Sequence, residues 1–283
     1  MREALFYDKI SGGAVKCVLC PQYCVINDGD KGYCAARINQ GGRLQAESYG
    51  RVTALSLDPT RKKPLRDFRP GSLILSVSSY GCNLSCPFCQ NHHLSKNARA
   101  DYRETSPPEL ARMAKELEAR GNVGVAYTYN EPLVSYEYLT DAAKAVRDAG
   151  MVNVLVTNGY INDEPLAALL GVIDAAAIDL KSINPDFYQN LGGSLPPVLA
   201  TIKSMCEAGV HVEVITLIIP GENDSCGEMD RLSAHLAGIS PAIPLHLTPF
   251  HPAYLYSDKE ATPPSAIERL AQRARVHLER VYC

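Results

Sequence analysis

The 283-residue sequence lacks the features of proteins that bind nucleic acids or cross membranes. It has no basic excess, because 28 Lys and Arg residues stand against 31 Asp and Glu residues and the pI is near 6.2. Such a balance gives no positive field for a phosphate backbone. The longest weakly charged run, Leu166 to Ile178, contains Asp174 and is too short to span a bilayer. We therefore expect neither a nucleic-acid partner nor a membrane partner.

The sequence also lacks a signal peptide, a Ser-His-Asp arrangement and a phosphate-binding loop. Charged residues recur from Met1 to Lys16, and no apolar segment interrupts them. We expect a cytoplasmic protein, and thiols stay reduced in the cytoplasm. Its ten cysteines are therefore expected to serve as metal ligands and free thiols rather than as disulfides. The 46% of hydrophobic residues are sufficient for a folded core.

Three cysteines in Cys-x3-Cys-x2-Cys spacing follow the apolar run Leu73 to Val77, which is typical of a buried strand. They are Cys82, Cys86 and Cys89, and the next cysteine along the chain is Cys206. A structural zinc site or an ordinary ferredoxin cluster needs four protein ligands. Three ligands on a four-iron cluster leave one iron open to a substrate or cofactor. The alternatives are scattered thiols without a metal, or a zinc knuckle that takes a ligand from elsewhere.

With Phe88 directly before the last cysteine, this motif resembles the signature of the radical S-adenosylmethionine (SAM) enzymes. In that family three thiolates hold a [4Fe-4S] cluster, and SAM chelates the open iron. The Cys89-Gln90-Asn91 ending resembles the pyruvate formate-lyase activating enzymes. Within that group the chain most resembles the radical SAM member of the AmmeMemoRadiSam systems. The resemblance extends over almost the whole chain.

Several strand-end motifs resemble the SAM contacts of the same family. Glu131 matches the acid of a Gly-Gly-Glu motif that binds the SAM ammonium, with Asn130 in place of a glycine; a solvated, helix-capping glutamate is the alternative. Asp179-Leu180-Lys181 matches a motif whose lysine serves the SAM carboxylate, and alternation puts both charged residues on one face of the strand. The cofactor contacts implied by the resemblance are Phe88, Asn130, Glu131, Thr157, Asn158, Asp179, Lys181 and His251.

Other positions depart from the activating-enzyme pattern. Val156 replaces the acid that helps to hold a monovalent cation, and Ile215 stands where activating enzymes carry a SAM-contacting arginine. Glu213 is a candidate to line the cavity instead. His246 is either a cavity residue or a core histidine with its hydrogen bonds satisfied.

A second group of cysteines, Cys17-x2-Cys20-x3-Cys24-x9-Cys34, lies in a turn-rich segment near the start of the chain. Four thiols this close together suit a closed metal site. The metal is zinc or a second iron-sulfur centre, with unligated thiols as the third alternative. We expect residues 1–70 to form a cysteine-rich metal-binding segment and linker, and residues 71–283 to form the radical SAM domain.

Strands and helices alternate from Leu73 onward, which is typical of parallel strands with helical crossovers. Six such units predict an α/β fold, a partial (β/α)6 TIM-like barrel with an N-terminal cysteine-rich extension. Functional residues of barrels collect at the carboxyl ends of the strands. The motifs described above lie there.

The resemblance implies an enzyme that reductively cleaves SAM to a 5′-deoxyadenosyl radical, which then abstracts hydrogen from a substrate. The substrate is either a protein, as in glycyl-radical activation, or a small molecule. The expected cofactors are a [4Fe-4S] cluster and SAM, and the expected partners are an electron donor such as flavodoxin or ferredoxin and a protein substrate. The alternative from another class is a zinc-binding scaffold without SAM chemistry.

Overall fold

The computed structural model describes residues 2–283 of the chain. The N-terminal part folds into two small antiparallel sheets, one in the order β1-β6-β5 and the other in the order β2-β3-β4. A further pair, β7 and β10, brings residues 51–52 beside residues 103–104. The strands are β1 Arg2–Glu3, β2 Tyr7–Lys9, β3 Val15–Cys17, β4 Val25–Ile26, β5 Arg37–Gln40, β6 Arg43–Ala46, β7 Arg51–Val52 and, later in the chain, β10 Arg103–Glu104.

The remaining strands form one eight-stranded sheet. Its order is β16-β15-β14-β13-β12-β11-β9-β8, with β8 antiparallel to β9 and all other neighbours parallel. Within residues 2–283 the two edge strands do not pair with each other, so the barrel is open, as predicted. The strands are β8 Ala54–Pro59, β9 Leu73–Ser78, β11 Asn122–Tyr127, β12 Val152–Thr157, β13 Ala175–Asp179, β14 His211–Ile218, β15 Leu245–Pro249 and β16 Val281–Tyr282.

Helices cover the outer face of this sheet. The predicted helix over 163–170 has the bounds expected from the sequence, and Ser106 caps the helix at 107 by accepting from the Glu109 N–H. The helix at 185–190 was missed, because six residues are too few for a periodic pattern. The helices are α1 His92–Ser95, α2 Pro107–Glu116, α3 Tyr136–Asp148, α4 Asp163–Leu170, α5 Pro185–Asn190, α6 Leu195–Glu207, α7 Cys226–Ile239 and α8 Pro264–Ala274, with 3-10 turns at Ser11–Gly13, Thr60–Lys62, Glu118–Arg120, Pro132–Ser135 and Tyr254–Tyr256.

The interior of the barrel has its own small core. Side chains of modest size, including Ala126, Ala175 and Ala177, pack there around Leu65, which enters from the segment before β9. Alternation along each strand places these residues on the inner face. Because the inner residues are small, the lumen stays open toward the carboxyl ends of the strands.

The segment 58–71, which the sequence predicts as a linker, begins with the end of β8 and then closes the amino end of the barrel. Backbone N–H groups of Arg66 and Asp67 donate to the Glu213 carboxylate inside the barrel. The Asp67 carboxylate accepts from Tyr282 and pairs with Arg280. The division into residues 1–70 and 71–283 stays a prediction, with β8 of the first part lying in the barrel sheet.

The N-terminal sheets are fastened to the barrel through buried contacts. The Arg37 guanidinium donates two hydrogen bonds of 2.6 and 2.9 Å to the Glu137 carboxylate of α3. Both side chains are buried, and such bidentate pairs are strong and directional. At Gly81, whose φ is +95°, an added Cβ would lie 2.6 Å from the carbonyl oxygen of Cys34. Glycine is therefore required for the N-terminal part to approach the loop that carries Cys82.

Among residues 2–283, no helix combines the length and the apolar character that a membrane crossing requires.

Candidate active site

One cavity of about 580 Å³ lies at the carboxyl ends of the parallel strands. The thiols of Cys82, Cys86 and Cys89 line it, on the loop that leaves β9. The Leu84 N–H points to the Cys82 sulfur at 3.5 Å, and the Ser95 hydroxyl lies 3.3 Å from the Cys89 sulfur. Burial raises the pKa of Cys82 above its ordinary value. A thiolate at this position therefore needs a positive partner, which a metal centre supplies.

The cavity also collects the side chains that the sequence predicts as cofactor contacts. They arrive from different strand ends that lie far apart in sequence but adjacent in the sheet. The predicted residues that line it are Phe88, Asn130, Glu131, Thr157, Asn158, Asp179, Lys181 and His251.

Glu131 is buried at the wall of this cavity. Its carboxylate accepts from the Thr157 hydroxyl at 2.6 Å, the Asn158 N–H at 2.8 Å and the Leu133 N–H at 3.1 Å. Despite these donors, burial raises the pKa of Glu131 to about 7. The side chain does cap the turn at 132–135, but it is 3% exposed, so the alternative of a solvated glutamate is wrong. A cation at the cavity would compensate its charge.

Asn130 and Asn158 both brace the loop that carries the thiols. The Asn130 side chain accepts from the Ser79 N–H at 3.0 Å and donates to the Tyr80 carbonyl at 3.2 Å. The Asn158 amide donates to Asn83 at 2.9 Å and lies 3.7 Å from the Cys82 sulfur. These contacts fix the loop against the ends of β11 and β12.

Asp179 and Lys181 form an ion pair at the end of β13, with the ammonium 3.0 Å from the carboxylate. They lie on the same side of the strand, as the sequence predicts. Burial opposes the lysine charge, but the neighbouring Asp179 and Cys86 raise the pKa of Lys181 above its ordinary value. The ammonium is therefore held in its charged form beside the thiols, where it can bind a carboxylate.

Phe88 and His251 lie on opposite sides of the cavity entrance. Phe88 is buried and packs between Phe187 and Tyr256, with both pairs of ring centroids 6.1 Å apart. His251 follows β15 and is exposed to solvent. The aromatic group shields one wall, while the histidine side chain is accessible to a ligand.

The interpretation of Glu213 as a cavity residue is wrong. Its side chain lies on the inner face of β14, two residues closer to the amino end than Ile215, which does line the cavity. His246 donates to or accepts from Glu213 at 2.6 Å, and His211 contacts it at 2.9 Å. His246 is thus a core histidine with a partner. Val156 lines the cavity as well.

Sequence reasoning missed a polar group at the other end of the cavity. The buried Lys63 ammonium donates to Asp58 at 2.9 Å and to the Tyr129 hydroxyl at 3.0 Å, and Tyr129 donates to Asp58 at 2.7 Å. Burial would raise the pKa of Asp58, but these donors and Ser76 lower it below its ordinary value. Tyr129 has a φ of +71°, which is rare for an aromatic residue. Its position directly before Asn130-Glu131, where the related motif has glycine, was the available signal.

The residues fit a cysteine-bound cluster with a nucleotide-sized ligand. A cavity of this volume is within the range of cofactor sites. In the described part of the chain, no three Cys, His, Asp or Glu side chains are grouped as the ligands of one metal ion would be. The three thiols instead border a shared space. That arrangement suits a cluster better than a single ion.

Comparison with known proteins agrees with this geometry. The family model described as "Radical SAM superfamily" matches residues 76–232. A protein of Methanocaldococcus jannaschii named "Uncharacterized protein MJ0808" is 39% identical over 283 residues, which cover 99% of this chain and 82% of that protein. The pyruvate formate-lyase 1-activating enzyme of Escherichia coli is 27% identical over 179 residues, covering 60% of this chain and 71% of that enzyme.

Solved structures support the fold. SuiB of Streptococcus suis superposes with a TM-score of 0.57 at 15% identity, over 79% of this chain and 53% of SuiB. The predicted resemblance to radical SAM and activating enzymes is confirmed, whereas the assignment to AmmeMemoRadiSam systems stays a prediction. The zinc-binding scaffold is not the function of such a chain. The protein belongs to the radical SAM superfamily and is an enzyme that uses a [4Fe-4S] cluster and SAM.

Proposed function

We propose that Cys82, Cys86 and Cys89 hold the [4Fe-4S] cluster and that SAM binds beside them in the 580 Å³ cavity. The observation that carries this proposal is the convergence of the three thiols with Glu131 and Lys181 on one cavity. When bound, the cofactors supply a 5′-deoxyadenosyl radical for hydrogen abstraction. The protein's part is to bind, orient and shield them.

Each charged group has a complementary part of SAM to bind. The Glu131 carboxylate, buried and without a cation, suits the SAM ammonium. The Lys181 ammonium suits the SAM carboxylate, and His251 at the entrance suits the ribose. Thr157 and Asn158 position Glu131 through their hydrogen bonds. Phe88 and its aromatic neighbours keep water from the thiol side of the cavity.

We further propose that the substrate is a protein, from which the enzyme removes a hydrogen atom of a glycine. The support is the similarity to activating enzymes named for pyruvate formate-lyase and benzylsuccinate synthase. The electron would come from a donor such as flavodoxin or ferredoxin. The departure at Ile215, where those enzymes carry an arginine, concerns the SAM site and leaves this proposal open to test.

A small molecule is the second candidate substrate. The observation that favours it is the polar end of the cavity, where Lys62, Lys63 and Tyr129 lie on the wall. Lys63 and Tyr129 are held in place by Asp58. Such a fixed polar group is typical of pockets that orient a small ligand.

The SAM proposal is tested by anaerobic reconstitution with iron and sulfide, followed by SAM and dithionite. We expect a brown protein that produces 5′-deoxyadenosine, and we expect Cys86→Ser to reduce this product to background. Cys206→Ser is the matched control, since Cys206 lies in α6 and outside the cavity. A reconstituted wild-type protein that does not cleave SAM would contradict the proposal.

The two substrate classes are separated by the fate of the radical. With a protein substrate, electron paramagnetic resonance should show a glycyl radical doublet on the partner. With a small molecule, deuterium from the labelled substrate should appear in 5′-deoxyadenosine without that doublet. A doublet absent for all partners tested, together with deuterium transfer from a small molecule, would reject the protein substrate.

A further inference from the structure

The four N-terminal cysteines line a second, smaller internal cavity. Cys17 ends β3, Cys20 and Cys24 lie in the following turns, and Cys34 lies in the turn before β5. All four side chains reach the same space, whose other walls include Leu19 and apolar groups from the barrel. Thiols brought together in an apolar space from separate turns are not required for packing, since any small apolar residue would fill it.

A backbone N–H group points to each of the four sulfurs. The donors to Cys17, Cys20 and Cys34 come from the residue two positions later, and the Tyr33 N–H lies 3.4 Å from the Cys24 sulfur. Cys82 has the same arrangement with Leu84. A neutral thiol is a weak acceptor, whereas a thiolate is a strong one. The backbone is therefore shaped to hold thiolates, the form that binds metals.

The spacing of the sulfurs favours a cluster over a zinc ion. Zinc-sulfur bonds of about 2.3 Å would bring four sulfurs within about 4 Å of one another. Across residues 2–283, cysteine groups of that kind do not occur. The N-terminal sulfurs surround a cavity instead, as the Cys82 group does. Four cysteine ligands are the usual complement of an iron-sulfur cluster.

Asn83 separates this cavity from the cavity of the Cys82 group. Its side chain hydrogen-bonds the Cys20 sulfur and accepts from the Asn158 amide at 2.9 Å. The Asn158 amide lies 3.7 Å from the Cys82 sulfur. A short series of polar contacts, only two side chains long, thus joins the sulfurs of the two groups.

The opposite side of the N-terminal cavity faces solvent. Tyr33 lines the cavity and is 46% exposed, and neighbouring Val25 is 61% exposed. The four thiols therefore lie between the protein surface and the Cys82 group. A purely structural metal would not require this placement.

We propose that Cys17, Cys20, Cys24 and Cys34 hold a second iron-sulfur cluster that relays electrons to the cluster on Cys82, Cys86 and Cys89. A one-electron donor of the flavodoxin or ferredoxin class loses one electron to the N-terminal cluster. That cluster passes the electron on through the Asn83 contact, and the second cluster is reduced by one. No atom is transferred and no bond is broken in this step.

The metal assignment is tested by iron and sulfide analysis after reconstitution. Wild-type protein should bind about eight iron and eight sulfide per chain, and the triple Ser variant of Cys82, Cys86 and Cys89 should keep about four of each. Cys206→Ser should retain the wild-type content. One zinc and no iron in the triple variant would overturn the proposal. Because this variant has no SAM chemistry, its result does not depend on the proposed function.

The relay is tested by stopped-flow reduction of the Cys82 cluster in the Cys24→Ser variant. We expect loss of the fast reduction by flavodoxin or ferredoxin, with unchanged reduction by dithionite, which is small enough to enter the main cavity. If that variant does not fold, the same comparison is made with Asn83→Leu, in which all seven cysteines remain. Unchanged rates with the protein donor would overturn the relay.

Discussion

Two buried glutamates occupy opposite ends of the same barrel, and their charges are compensated very differently. Glu131 at the carboxyl end accepts hydrogen bonds from neutral donors only, and burial raises its pKa to about 7. Glu213 at the amino end is also desolvated, but two histidines and the Arg66 and Asp67 N–H groups lower its pKa below the ordinary value. The same residue type, buried in one sheet, is thus deficient in positive charge at one end and compensated at the other.

This difference separates a ligand site from a structural contact. A carboxylate that already has histidine partners and backbone donors contributes to stability when it is ionised. A buried carboxylate that lacks a cation is costly until a cation arrives. The deficiency at Glu131 lies on the cavity wall beside the thiols, so binding of SAM would correct it. Glu213 closes the amino end of the barrel and needs no ligand.

The largest effect that tests this comparison is expected from Glu213→Ala. It leaves His211, His246 and several N–H groups without their acceptor, and we expect a loss of about 3–5 kcal/mol in the free energy of unfolding. SAM cleavage per folded molecule should stay unchanged. Urea unfolding and 5′-deoxyadenosine assays measure the two properties. Glu207→Ala, on an exposed part of α6, is the control and should shift stability by at most about 0.5 kcal/mol.

A Glu213→Ala protein that is stable but no longer binds SAM would reverse the assignment of the two ends.

The sequence was sufficient to identify one of these ends. Alternating strands and helices predict the six parallel units, and the motifs after the strands place Glu131, Lys181 and His251 near the thiols. These predictions succeed because parallel strands align their carboxyl ends whatever the details of packing. The inner Ala residues and the apolar runs were readable as strands for the same reason.

The amino end could not be predicted in the same way. Glu213 lies within an apolar strand, and its partners come from backbone groups of residues 66–68 and from His246, far away in sequence. Backbone N–H groups leave no mark on the residue type of their segment. The edge strands β8 and β16 were missed because their pairing depends on where the chain returns to the sheet.

The next largest effect concerns pH, where the two glutamates act in opposite directions. Glu213 has a pKa below the ordinary 4.5, so its stabilisation is present above that pH and is lost as the pH falls below it. Glu131 has a raised pKa, so stability is greatest below pH 4.5 and declines as the pH rises to about 7. In cluster-free protein this decline should be roughly 2–3 kcal/mol.

Urea unfolding at a series of pH values tests both slopes. Glu131→Gln should flatten the curve between pH 4.5 and 7 only, and Glu213→Gln should flatten it below pH 4.5 only. A wild-type curve that rises between pH 4.5 and 7 and is unchanged by Glu131→Gln would contradict the charge deficiency of Glu131.

A smaller effect is expected for SAM affinity in Glu131→Gln. The change keeps the shape and the hydrogen-bond acceptor but removes the charge that would face the SAM ammonium. Loss of a charge-assisted hydrogen bond of about 2 kcal/mol corresponds to roughly 30-fold weaker binding. Isothermal titration with reconstituted protein measures this affinity, and cluster content serves as the control. Unchanged affinity would show that the ammonium binds elsewhere.

The smallest effect is expected from Thr157→Val, which acts on Glu131 without touching its charge. The Thr157 hydroxyl donates to the Glu131 carboxylate at 2.6 Å, and valine has the same shape without this donor. We expect SAM binding to weaken about fivefold, which corresponds to about 1 kcal/mol for one hydrogen bond. The midpoint of the pH profile of SAM binding should also move upward, since the ionised carboxylate has lost a donor. Thr157→Ser keeps the hydroxyl and should retain both the affinity and the midpoint. Equal losses in the Val and Ser variants would mean that the methyl group, rather than the hydrogen bond to Glu131, supports the site.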